Sequence, residues 1–125
     1  MTRDPLDTFG DGPIAAAASA HGVDADRLRS LVRRHQESVR EFPGVENLVY
    51  EWRRTLPRSP LVERRPDAYL CLIEPTIWAE FDDALSLSDA EATALRAVHA
   101  RQFEAALGPD APDVDDRDPI VLTRE

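Results

Sequence analysis

The chain has 125 residues, with 24 acidic against 15 basic residues and a formal net charge of −9. That length sets one domain plus tails, large enough to bury a core without disulfides or metal. The single cysteine, Cys71, excludes an internal disulfide, and no apolar run approaches the roughly 18 to 20 residues of a membrane span.

Residues 1–12, MTRDPLDTFGDG, are polar and are expected to form a flexible tail. They lack the apolar stretch of a secretory signal, and a cytoplasmic protein with no membrane partner is expected. Pro13 suits the first turn of a short helix through Ala20. Gly22 stands where a left-handed C-cap is wanted, and Asp24 is a good N-cap for the next helix. That helix carries Ala25, Leu28, Leu31, Val32, His35 and Val39 on one face and should stop before Pro43-Gly44.

Residues 45–56, VENLVYEWRRTL, fit two periods. Val45, Leu48, Val49, Trp52 and Leu56 make a helical stripe, while Leu48, Tyr50, Trp52 and Leu56 make a strand face. The β-branched and aromatic content tilts the reading to strand. LVERR and AYLCLI flank Pro66-Asp67 and read as a β-hairpin. From Thr76 a helix carries Ile77, Trp78, Phe81 and Leu85. Ser88 and Glu91 form a capping box for a last helix to about Leu107. The acidic segment DAPDVDDRD follows as a solvated linker. It ends in PIVLT, a short β-prone hook for this protein's sheet or for a partner's.

The expected architecture is therefore α+β: two N-terminal helices, a small antiparallel sheet or hairpin, and two C-terminal helices. A single globular domain spans 13–107, with an acidic C-terminal tail over 108–125 that ends in a short strand.

The most specific functional pattern is IAAAASAHGVDADRLRSLVRR. With Ala18 four residues before Gly22, then Val23, Leu28 and Leu31, residues 14–33 resemble the helix-turn-helix of transcription regulators. That resemblance implies a DNA-binding regulator, with Arg27, Arg29, Arg33 and Arg34 meeting phosphates or guanine edges. Three features depart from the pattern. His21 replaces an apolar residue, Asp24 and Asp26 place acids at the end that would enter the groove, and no helix precedes Pro13. The alternative is two packed core helices with a solvated arginine face. LVERRPD also resembles the wing of winged-helix regulators. There VENLVYEWRR would be the recognition helix, and Arg64 and Arg65 would lie near the wing tip.

All 15 basic residues are arginine. An acidic surface without lysine is similar to the proteins of salt-loving archaea, and a high-GC bacterium is the other source of such a bias. The run DAYLCLIEPTIWAEFDDALSLSDAEATALRAVHARQ is similar to uncharacterised small-domain families of haloarchaea, a resemblance that supplies no activity.

Other constellations carry less chemistry. His35 and His99 both sit on apolar helix stripes and are expected to be semi-buried histidines hydrogen-bonded to neighbours, such as Gln102 one turn from His99; face-to-face packing of their helices would bring the two rings together near Cys71. No ligand pair has metal-site spacing, so neither metal nor cofactor is expected. Glu80, Asp82 and Asp83 read as a solvated acidic face. No nucleophile motif, phosphate loop or dinucleotide fingerprint occurs, and the expected protein is not an enzyme. Tyr50, Trp52, Tyr69 and Trp78 are candidate interface anchors. A protein-interaction module or homodimer without nucleic acid is thus the competing function.

Overall fold

The computed structural model describes residues 3–125. Among them are five α-helices and a three-stranded antiparallel sheet, an α+β arrangement. The helices are α1 (Asp11–His21), α2 (Ala25–Glu41), α3 (Val45–Thr55), α4 (Pro75–Leu85) and α5 (Asp89–Leu107). The strands are β1 (Leu61–Arg64), β2 (Ala68–Ile73) and β3 (Asp118–Thr123).

Local chemistry sets most boundaries. Gly22 ends α1 at φ 65°, a left-handed value that a side chain would strain. The Asp24 carboxylate accepts from the Arg27 amide at 3.0 Å and opens α2. At α5 the Ser88 hydroxyl accepts from the Glu91 amide and the Glu91 carboxylate from the Ser88 amide, the expected reciprocal cap. Pro75 occupies the first turn of α4, where its missing N–H costs nothing.

The α3 segment corrects the strand expectation for residues 45–56. Val45, Val49 and Trp52 are buried, whereas Tyr50 is 63% exposed. A period-2 face would place Tyr50 beside Trp52; a helix puts them on different sides. The helical stripe has the core to pack on, and packing overrides the β-prone composition. Three helices, rather than two, therefore precede the hairpin.

Strand β2 is buried at all six positions and lies between β1 and β3. The hairpin closes through the Arg65 amide bonded to the Ala68 carbonyl. The PIVLT hook docks on the protein's own sheet as β3, with Leu70 opposite Val121 and Tyr69 opposite Leu122. Helix α5 packs along β3 and against α1. The N-terminal segment is also more engaged than a flexible tail. Phe9 is buried, α1 begins at Asp11 rather than Pro13, and the Thr123 hydroxyl donates to the Pro5 carbonyl.

The outer edge of β3 is closed by side chains. His99 Nδ1 accepts from the Val121 amide at 3.0 Å, and Gln36 Nε2 donates to the Val121 carbonyl at 2.9 Å. Gln36 Oε1 accepts from the Thr123 amide at 2.9 Å, and Trp78 Nε1 donates to the Pro119 carbonyl at 3.3 Å. Three helices thus supply the donors and acceptors that a neighbouring strand would offer. The edge has no room for strand addition by a partner.

Candidate functional site

The four arginines of the helix-turn-helix resemblance do not form an open basic face. Arg27 pairs with Glu91 at 2.9 Å and Arg29 with Asp11 at 2.7 Å. Arg33 reaches Asp4 at 3.5 Å, and Arg34 donates to the Leu85 carbonyl at 3.4 Å. Each guanidinium is spread toward a different element, and three of them face acids. These pairs are exposed and contribute little to stability. The Arg29→Ala/Arg33→Ala double variant should therefore lose less than about 1 kcal/mol, read as a urea midpoint almost unchanged from wild type. A large loss would show that the N-terminal segment is held mainly by these pairs.

The wing candidates separate. Arg65 is bound to Glu63 and donates to the Ala106 carbonyl at 2.9 Å, so it turns back onto α5. Arg64 ends β1 exposed, with no hydrogen bond or ion pair among the described residues.

Of the interface candidates, Tyr69 and Trp78 are buried and belong to the core. Tyr69 Oη donates to the Glu46 carboxylate. Trp52 is buried but borders a groove described below, and Tyr50 alone is open to solvent.

The two histidines meet, buried more deeply than the semi-buried positions expected, and His99 bonds the Val121 amide rather than Gln102, whose side chain accepts from the Gly10 amide. Their ring centroids are 5.2 Å apart at 90°, and both side chains are fully buried. Trp78 stacks on His35 at 5.1 Å and lies edge-on to His99 at 4.9 Å. Phe81 meets His35 at 4.5 Å and Phe9 meets His99 at 5.1 Å, completing an aromatic shell. Because Nδ1 of His99 accepts a hydrogen bond, the proton of its neutral form sits on Nε2. Neither Nε2 has a partner among the described residues.

Desolvation in this apolar shell pushes the His35 pKa down to about 3. Burial first, and the neighbouring His35 second, push His99 well below its usual value. Both rings are neutral near pH 7 and poor bases. Burial likewise pushes the Cys71 thiol up to about 12, which favours the protonated thiol near pH 7. No group of three or more His, Cys, Asp or Glu side chains able to hold a metal ion occurs among the described residues. The acidic trio disperses: Asp82 pairs with Arg96 at 2.6 Å, Glu80 borders the groove and Asp83 is solvated.

The groove is the feature that sequence reasoning missed. Phe42, just beyond α2, is 83% exposed, the most exposed of the large hydrophobic residues among those described. It borders two adjoining hollows of about 450 and about 200 Å³ that share Phe42, Leu48, Phe81 and Ala84. Trp52, Ile77 and Glu80 complete the larger one, and Glu80 is its only charged residue. A phenylalanine next to Pro43-Gly44, past the end of a helix's apolar stripe, is the signal in the sequence that would have pointed to it. Such a residue has no core-facing position to fill.

No helix among the described residues is long and apolar enough to cross a membrane. No curated protein and no solved structure matches the chain. A family model described as a domain of unknown function matches residues 4–124. The chain belongs to that family, DUF8048.

Proposed function

We propose that this protein works by association rather than catalysis, as a homodimeric interaction module joined through the groove between α3 and α4. The observation that carries this reading is Phe42, 83% exposed beside a hollow lined by Leu48, Trp52, Ile77 and Phe81. An exposed aromatic knob next to an apolar hole on one patch is self-complementary. Under a two-fold axis each Phe42 enters the partner's groove. A basic amphipathic helix from another protein is the other occupant this groove could take, since Glu80 borders it.

Salt separates the two. Two copies of a chain with net charge −9 repel, so self-association tightens as salt screens that repulsion. A basic partner would bind more loosely. Burying one phenylalanine is worth about 2 kcal/mol, and symmetry counts the change twice. Phe42→Ser should therefore raise the dimer Kd by about 1,000-fold. Sedimentation equilibrium of wild type and variant, at low and high salt, measures both effects. A wild type that stays monomeric at millimolar concentration in high salt refutes the dimer. The second reading, DNA contact through Arg27, Arg29, Arg33 and Arg34, lacks the open basic face it needs.

A further inference from the structure

Helix α3 separates two surfaces. Leu48 and Trp52 border the apolar groove, while Tyr50 and Arg53 border a cleft of about 150 Å³ on another side of the helix. Leu61 and Arg64 of β1 form the far wall of that cleft. Tyr50, Arg53 and Arg54 continue outward as an open hollow.

Most arginines of this chain are tied to their own protein. Only Arg53, Arg64 and Arg101 of the 15 have no hydrogen bond or ion pair among the described residues. Two of those three line this one cleft, although they come from different elements. Each guanidinium presents a fork of donors suited to phosphate or carboxylate. Glu46, the acid in the lining, is already engaged: it accepts from Tyr69 Oη and lies 2.9 Å from the Arg124 guanidinium. Tyr69 and Arg124 hold its carboxylate by hydrogen bonds, while Arg64 acts on it only through space, as the smallest of the effects, and keeps its donors unbonded.

Tyr50 adds the second element of recognition. It stands one turn before Arg53 on α3 and keeps its ring 63% exposed. An aromatic face beside two free guanidiniums matches a base and its phosphate. An acidic peptide would satisfy the arginines but leave the ring without a stacking partner. We infer that the cleft between α3 and β1 binds a nucleotide unit, with its phosphate between Arg53 and Arg64 and its base on Tyr50. The inference is independent of the dimer groove. The same chemistry is offered by a free nucleotide and by a unit within a single strand.

The test is an amide NMR titration of the wild-type chain at low salt with AMP, an oligo-dT strand, inorganic phosphate and poly-glutamate. AMP or the strand should shift amides at 50–54 and 61–65. Arg53→Ala/Arg64→Ala should weaken binding about tenfold or more, as loss of phosphate contacts does. Tyr50→Leu should weaken AMP and strand binding while leaving inorganic phosphate unchanged. All three side chains are exposed, and an unchanged circular dichroism spectrum confirms the fold of each variant. Strand binding without AMP binding assigns the cleft to nucleic acid, and comparable affinity for AMP assigns it to the free nucleotide. The inference is overturned by the absence of shifts with both AMP and the strand, by affinities that ignore the substitutions, or by poly-glutamate competing as well as the strand.

Discussion

Replacing Gln36 with methionine should cost the fold about 4 kcal/mol, at about 2 kcal/mol for each of two orphaned buried backbone groups. Gln36 is 1% exposed, and its amide bonds both the Val121 carbonyl and the Thr123 amide. Methionine has nearly the same shape, so packing loss is small and the cost isolates the hydrogen bonds. Stability of domains this size is only about 5 to 15 kcal/mol, so the variant sits near the edge of folding at 37 °C. Gln36→Glu should fare no better. The carboxylate still accepts from Thr123 but cannot donate to Val121, and it adds a charge to the interior. Urea unfolding gives the stability change, and amide exchange at Thr123 reports whether β3 loosens first. A midpoint within about 0.5 kcal/mol of wild type would show that water replaces Gln36 at no cost and that the side-chain edge is not needed.

The same residue marks where sequence reading stops. Gln36 follows His35 on α2 and looks like an ordinary polar position. Its partners lie 85 and 87 residues away on a strand whose docking is not written locally. Helices α2 and α5 were readable because their stripes and caps are local patterns. The segment over 45–56 was not. Leu48 and Trp52 satisfy both a 3.6 and a 2.0 period, and the burial of Val45 and Val49 with the exposure of Tyr50 tells them apart. The burial of Phe9 escaped for a similar reason: a lone phenylalanine in a polar stretch has no period. In the candidate sites, the apolar neighbours of His35 and His99 pointed both rings inward, but the rings are fully rather than partly buried, and the bond of His99 to the distant Val121 amide is not a local pattern. The pairing of Arg27 with Glu91 and Arg29 with Asp11 is long-range, so the local helix-turn-helix pattern could not show which acids these arginines meet. Arg64 was read only as a wing candidate, and its meeting with Arg53 in one cleft becomes visible only in the tertiary structure.

The second large effect is acid lability, with His35 and His99 as its source. In the unfolded chain each imidazole titrates near pH 6.5. In the folded chain His35 is held down at about 3, and His99 is shifted the same way. The groups packed on them are Phe9, Trp78 and Phe81, which carry no charge to stabilise an imidazolium. Below pH 6.5 the unfolded state binds protons that the folded state refuses. The histidine contribution to stability is thus complete above that pH and falls as pH drops toward 3. Once each unfolded imidazole is protonated, the slope is about 1.4 kcal/mol per pH unit per histidine, so the pair costs about 3 kcal/mol per unit. The stabilising carboxylates enter later. Glu46 and Glu91, held below their usual range by Tyr69 and by the Ser88 amide respectively, lose their contributions only as pH falls through about 4.5 and below. Asp118, whose pKa is raised by burial, works in the opposite direction as one group. Between pH 6.5 and 4.5 the two histidines therefore dominate, and cooperative unfolding is expected near the lower end of that window. His35→Phe keeps an aromatic ring against Trp78 and removes one titrating group, so the slope of stability between pH 6 and 5 should fall by about half. Urea midpoints of both proteins across this range measure it. A wild type equally stable at pH 7 and pH 5 would mean that the rings accept protons within the fold and that the shell around them opens to water.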